Sequence, residues 1–306
     1  MTASLLPAVG SLLLAIVIAP LLPGIVRKTT SLLTGRRGAP VWQLYADLWK
    51  LSRRGVVYST TSGWPFRLAP VAATATALVA ALLVPFDGRE SLVRFAGDAV
   101  AFAYALALGR FLLVLGALDT GSSFEGMGAS REVTFGTLVE FGFLLTFAAM
   151  AAGTGELSLS GELGSSLAAR WTASAPAFGL LAAGLFGLSM AECARVPVDD
   201  PATHLELTMI HEVMILDHGG PDLALILGAG AIKLALFGTL ILGILMPRAT
   251  WAPWTAAAGL VGGLVAFAIA VGVVEASTAR LRLPKVPLFL AGSATLGALG
   301  LLLLLR

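Results

Sequence analysis

Apolar runs of about twenty residues alternate with polar segments along the whole chain. Eight stand out, over roughly 5–26, 67–86, 97–118, 133–153, 174–194, 223–246, 253–275 and 287–305. Each has the length a helix needs to cross a hydrocarbon core about 30 Å thick. All are apolar on most faces and rich in Leu, Ala and Gly, which suits helices packed closely in lipid through small residues. No ten-residue alternating pattern points to a barrel, so backbone hydrogen bonding in lipid leaves helices as the spanning elements. The pattern predicts an all-α polytopic membrane protein, one transmembrane domain over 1–306. Loops 27–66, 119–132, 195–222 and 276–286 would lie on one side.

Composition agrees. The chain is 57% hydrophobic and 12% charged, with a mean hydropathy of +0.89, whereas soluble domains average about 25% charged residues. A net charge of +2 is too small to suggest nucleic acid as a partner. One cysteine, Cys193, excludes an intrachain disulfide and a cysteine-ligated cluster held by this chain alone. Three histidines cannot supply the four axial ligands of a two-haem cytochrome. The chain is expected to bind no cofactor of its own. Its first apolar run has no basic residue before Arg27 and reads as a spanning helix rather than a secretory signal.

Basic residues fix the expected orientation. Thirteen fall on one side: Arg27, Lys28, Arg36, Arg37, Lys50, Arg53, Arg54, Arg67, Arg131, Arg195, Arg280, Arg282 and Lys285. Five fall on the other, and Arg110 and Lys233 lie inside spans. The positive-inside rule then places both termini outside and the four long loops in the cytoplasm. All six tryptophans lie near span ends or in loops, where interfacial anchors belong. In loop one, Pro40 could open a helix through VWQLYADLWKLSRR, with Val41, Trp42, Tyr45, Leu48 and Trp49 on one face and Gln43, Asp47 and Lys50 elsewhere. Such a helix would lie in the interface, either as a plain membrane-surface element or as a docking element for a soluble partner. The outer loop TGELSLSGELGSS is low in complexity and suggests no function.

Residues 192–222 hold seven of the chain's 18 acidic residues and all three histidines. Asp199 and Asp200 can cap a helix beginning at Pro201 or Ala202, ended by Gly219, Gly220 and Pro221. Its apolar face would be Leu205, Met209, Val213 and Leu216, and it would present Glu206, Glu212 and Asp217 at the cytoplasmic surface. His204, His211 and His218 are seven apart, whereas zinc favours spacings of about three to five with a further close ligand. They read as surface or interface histidines, and no metal is expected.

Charges at membrane depth need a partner or a watery cavity. Glu140, Arg110 and Lys233 lie inside spans, Glu192 ends the fifth and Glu275 the seventh. Glu132, Gly136 and Glu140 follow i, i+4, i+8, so both carboxylates share a face. Ser189, Glu192 and Arg195 form a second polar stripe. Two readings stay open: a proton relay through acids and a lysine, or buried ion pairs that fix helix register.

The segment ECARVPVDDPATHLELTMIHEVMILDHGGP resembles the long cytoplasmic loop of the membrane subunit shared by respiratory complex I and membrane-bound [NiFe]-hydrogenases, the complex I subunit 1 family. Glu192, Arg195, Pro197 and Asp199 carry the match, followed by Glu206 and Glu212. GRRGAPVWQLYADLWKLSRR resembles the family's first loop, with Gln43, Asp47 and Lys50. GALDTGSSFEGMGASREVTFGTLVE resembles the segment joining spans three and four, with Gly128, Ala129, Arg131 and Glu132. Val198, the run DDPATHLELTMIHE and Lys233 in the next span look more like formate hydrogenlyase subunit 4 and the group 4 hydrogenases than like complex I.

The resemblance implies a membrane anchor and ion-coupling subunit without a redox centre. Its partners would be the hydrogenase large and small subunits, which hold the [NiFe] site and iron–sulfur clusters, and antiporter-like membrane subunits. The implied relay is Glu132, Glu140, Glu192, Glu206, Glu212 and Lys233. Arg131, Arg195, Pro197 and Asp199 would shape the loop facing the soluble arm. A quinone-site subunit of an NADH:quinone oxidoreductase is the alternative within the family. A stand-alone secondary transporter is the alternative outside it, although the halves show no convincing inverted repeat.

Overall fold

A computed structural model of the chain describes residues 2–200 and 208–306, which are helical with no strand among them. The first apolar run folds as a bent pair, α1 (Thr2–Ile18) and α2 (Leu21–Leu33), with a 45° bend between them. Pro20 sits at the break, where a residue without an N–H cannot continue the helical ladder. Seven more helices are long and apolar enough to cross a membrane, so the bent pair makes an eighth span. They are α4 (Trp64–Leu83), α5 (Asp98–Asp119), α6 (Ser123–Thr154), α8 (Ser165–Glu192), α10 (Gly220–Leu245), α11 (Pro253–Ser277) and α12 (Val286–Leu304). Short helices α3 (Gln43–Ser52), α7 (Leu159–Glu162) and α9 (His211–Met214) complete the order. The chain is a multi-pass membrane protein.

In the bundle α4 packs on α5, α12 on α8 and α6, and α11 on α2, while α10 touches α4, α8, α11 and α3. Of the most apolar stretch of α10, 72% is buried, against 33% for α11. A charge in the middle of α10 therefore faces protein rather than lipid. Close approach comes from small residues, as membrane packing requires. Phe102, Phe147 and Phe237 interlock edge-to-face, with centroids 6.0 and 6.2 Å apart.

α3 buries none of its residues, and Trp42 and Trp49 are 65% and 62% exposed. Trp42 is the N-cap of this helix, so Pro40 and Val41 precede it rather than forming its first turn. The Tyr45 hydroxyl donates to the Val17 carbonyl and ties α3 to the bend of the first span. An amphipathic helix with an outward aromatic face suits the bilayer interface.

The acidic segment differs from its expectation. Among the described residues it forms only the four-residue α9, and His204, Leu205 and Glu206 lie outside them. Met209 and Val213 are buried, but Leu216, expected on the same face, is 49% exposed. Gly128 explains why this stretch lies so close to α6. A Cβ there would stand 2.3 Å from Val213 Cγ1 and 3.0 Å from the Ile210 carbonyl oxygen. Residues 208–219 form a largely irregular strip pressed into the bundle end rather than a continuous helix resting on a surface.

Candidate functional site: a buried charge cluster between two cavities

Four spans bring five charged side chains together. Glu132 and Glu140 lie two turns apart on α6, with Gly136 between them. A Cβ on Gly136 would stand 2.4 Å from Arg110 Nη1, so glycine there leaves the space that the guanidinium of α5 fills. Arg110 Nη1 donates to Glu140 Oε1 at 2.7 Å, and Nη2 donates to Glu192 at the end of α8. Its Nε lies 3.3 Å from Glu132 Oε1. Lys233 Nζ donates to the other Glu192 oxygen at 3.0 Å. Lys233 is thirteen residues beyond Gly220 in the 26-residue α10, about 20 Å along its axis at ~1.5 Å per residue. Three carboxylates thus meet two cations at membrane depth.

The members are not equally enclosed. The Glu192 side chain is 2% exposed and that of Arg110 7%, whereas that of Glu140 is 35% exposed on the flank of the bundle. Paired buried charges tolerate loss of one partner badly, at a cost of about 3–5 kcal/mol, because the remaining charge is stranded.

A second layer holds the chain that follows α8. Arg195 pairs with Glu275 of α11 at 3.5 Å, and Thr30 donates to Glu275 at 3.4 Å. Arg280 donates to Asp199 Oδ1 at 3.0 Å and also contacts Thr208. Asp199 Oδ2 accepts the backbone N–H of His211 at 2.9 Å and that of Ile210 at 3.3 Å. Arg131 donates to the Met209 carbonyl at 2.7 Å. Val198 and Asp199 are both 2% exposed. The start of the acidic segment is therefore recessed within the bundle, not lying on its surface.

Two cavities flank this layer. The smaller, about 20 Å³, is lined by Arg110, Glu132, Glu192, Asp199 and His211. The larger, about 110 Å³, opens between the first span, α3 and α10, with Gln43, Arg195, Glu212 and Lys233 among its walls. Burial holds the Glu212 carboxyl above the usual range, with Asp199 pushing the same way and His211 opposing. Burial and then Lys233 hold the His211 imidazole below its usual value against the pull of Glu212, Asp199 and Glu192. Burial, with Glu192 nearby, pushes the Cys193 thiol up to about 12.

A protein-family model described as NADH dehydrogenase matches residues 7–305. The chain belongs to this family. Within it, the chain is 32% identical over 241 residues to hydrogenase-4 component C of Escherichia coli (strain K12), covering 78% of this chain and 75% of that one. It is 31% identical over 289 residues to formate hydrogenlyase subunit 4 of the same organism, covering 92% of each. Its fold matches a chain of the membrane-bound sulfane sulfur reductase, an archaeal respiratory membrane complex, with a TM-score of 0.81 and 19% identity over 98% of this chain and 99% of that one.

Of the residues singled out in this NADH dehydrogenase-family sequence, Glu132, Glu140, Glu192 and Lys233 meet in one cluster. Glu212 is half-buried and lines the larger cavity. Arg195 leaves the proposed stripe with Glu192, because α8 ends at Glu192 and Ala194 turns with a φ of 49°. It pairs with Glu275. Gln43 lines the larger cavity and donates to Asp47 at 2.9 Å, while Lys50 is exposed. The Pro197 carbonyl accepts the Leu281 N–H at 2.9 Å. Glu206 is outside the described residues. Spacing missed the hub role of Arg110, the Asp199–Arg280 pair and the position of His211. An isolated arginine inside an apolar span was the available signal for the first.

Proposed function

We propose that this chain is the membrane anchor and ion-coupling subunit of a membrane-bound [NiFe]-hydrogenase or formate hydrogenlyase complex. The observation that carries the reading is the Arg110 hub: three carboxylates on two cations at membrane depth, open to a cavity at one end and to the flank of the bundle at the other. Such a cluster is expensive unless it is used or covered. The two curated relatives, a hydrogenase component and a formate hydrogenlyase subunit, point to the complex. The end bearing α3, the larger cavity and residues 208–219 would receive the hydrogenase large and small subunits, which hold the [NiFe] site and iron–sulfur clusters. The flank at Glu140 would receive an antiporter-like membrane subunit, since a carboxylate 35% exposed at this depth would otherwise meet lipid. We place the chain in the prokaryotic inner membrane with both termini outside. Redox chemistry in the soluble arm would shift Arg195, Asp199, His211 and Glu212 and bias proton or sodium movement through Glu192, Glu132 and Glu140.

The test is purification of the complex through a tag on this chain. Hydrogen evolution from a reduced viologen, with ion uptake in proteoliposomes, is the expected result. Replacing Glu140 with Gln should preserve hydrogen evolution in detergent and abolish ion uptake. Unchanged uptake in E140Q would remove the relay from the reading. The larger cavity also fits a second reading, a site for an apolar quinone headgroup beneath α3, as in an NADH:quinone oxidoreductase. Inhibitor-sensitive quinone reduction without hydrogen evolution would favour that reading.

A further inference from the structure

Among the described residues only three, Glu192, Ala194 and His211, line both cavities. Ala194 has no titratable group. Glu192 has both carboxylate oxygens engaged, one by Arg110 and one by Lys233. His211 is half-buried, and among the described residues no hydrogen bond or ion pair occupies its ring. Its backbone N–H is held by Asp199, itself fixed by Arg280, so its Cα has a set position while the ring nitrogens stay available. The smaller cavity, at about 20 Å³, has room for about one water, since about 10–15 Å³ of such volume suffices. The larger, at about 110 Å³, has room for several.

We infer that His211 is the proton carrier that joins the larger cavity to the Arg110–Glu192–Glu132 cluster. The inference rests on the coupling reading above and commits it to protons at this step. A proton arriving from the larger cavity, beside Glu212, binds one ring nitrogen. The opposite nitrogen releases a proton toward the smaller cavity, where Glu132 and Glu192 stand. The ring returns by turning about its Cβ–Cγ bond, which carries the protonated nitrogen to the release side, so no bond other than N–H and O–H changes. Imidazole suits the task because both nitrogens can hold a proton and its unperturbed value lies near neutrality. The charged groups that act on the ring are Lys233 of α10, Glu192 of α8, Asp199 and Glu212. Burial and then Lys233 disfavour the imidazolium, while the three carboxylates favour it without outweighing them, so the ring does not trap a proton it receives.

The experiment uses the intact complex in proteoliposomes, comparing wild type, His211→Gln, His211→Ala and Glu140→Gln. H211Q keeps the backbone donation to Asp199 and loses proton exchange. Proton uptake per hydrogen evolved should fall about a hundredfold or more, within the range that general acid–base groups contribute. Hydrogen evolution in detergent should be kept. Added imidazole should restore uptake in H211A, which opens space beside the cavity, but not in H211Q. Wild-type uptake in assembled H211Q would overturn the inference, as would loss of assembly in both His211 variants. If E140Q loses uptake while H211Q keeps it, only the role of His211 fails. If E140Q keeps uptake while H211Q loses it, the relay reading fails and the carrier stands. A wild-type complex that moves no protons overturns both.

Discussion

Arg110 and Glu140 stand 2.7 Å apart on neighbouring spans, and the same guanidinium also donates to Glu192. One side chain of α5 therefore ties α6 to α8. Replacing Arg110 with Met leaves Glu132 and Glu140 without their cation and Glu192 with Lys233 alone. The expected cost is about 3–5 kcal/mol, enough to lower the yield of assembled complex severely. Arg110→Lys keeps a charge but lacks the planar fork that reaches three carboxylates, and should fall between Met and wild type. Thermal unfolding of the detergent-solubilised complex measures the order. Equal midpoints for all three would show that the cluster does not hold the helices together.

Much of this arrangement is legible in the sequence, for definable reasons. The spans follow from length and apolar content, since lipid leaves the backbone few choices. Glu132 and Glu140 follow from helical period, and Lys233 from standing alone in an apolar run. The placing of Arg195, Asp199 and His211 was not legible. Helical spacing carried Arg195 forward from Glu192, but α8 ends at Glu192. The heptad-like spacing of Met209, Val213 and Leu216 suggested a helix that only α9 realises among the described residues. Tertiary contacts decide that stretch: Gly128 admits it against α6, and Asp199 and Arg131 take up its backbone groups.

Gly136 offers a subtler probe of the same hub. Glycine inside a helix costs about 1 kcal/mol relative to alanine, so Gly136→Ala should stabilise if space allowed. A Cβ there would stand 2.4 Å from Arg110 Nη1 and 2.9 Å from Cδ, which forces the guanidinium aside. Overpacking costs about 1–3 kcal/mol, so the net expectation is destabilisation by up to about 2 kcal/mol with weaker ion uptake. A thermal midpoint at or above wild type would mean that Arg110 has another resting place.

Cys193 tests the enclosure of the larger cavity without any substitution. Its thiol is raised from 9.0 to about 12, by burial first and Glu192 second. The thiolate is the reactive form, and each rise of one in pKa cuts its population at neutral pH about tenfold, so the fall here is about thousandfold. Maleimide should label Cys193 slowly in the folded chain at neutral pH and quickly in dodecyl sulfate. Equal labelling rates in the two states would show the cavity open to bulk water.

Glu162 sets a pH dependence at the opposite end of the bundle. It is 2% exposed on α7, and burial, with Asp98 adding repulsion, raises its carboxyl from 4.5 to about 8. Asp98 is fully buried and accepts the Leu159 N–H at 2.6 Å, which fixes α7 over it. The folded chain therefore holds a proton that the unfolded chain releases near 4.5. Between pH 4.5 and about 8 the folded state binds more protons than the unfolded one. This group's contribution to stability therefore falls as pH rises, by up to about 1.4 kcal/mol for each pH unit, and levels off above about 8. Glu162→Gln keeps the shape and removes the titration. The variant should lose less stability than wild type between about pH 6 and about pH 9, and be the more stable of the two at the higher value. Thermal midpoints of the detergent-solubilised protein at those two values give the comparison. Parallel losses in wild type and variant would mean that Glu162 is ionised in the fold, with a counter-charge or water at α7.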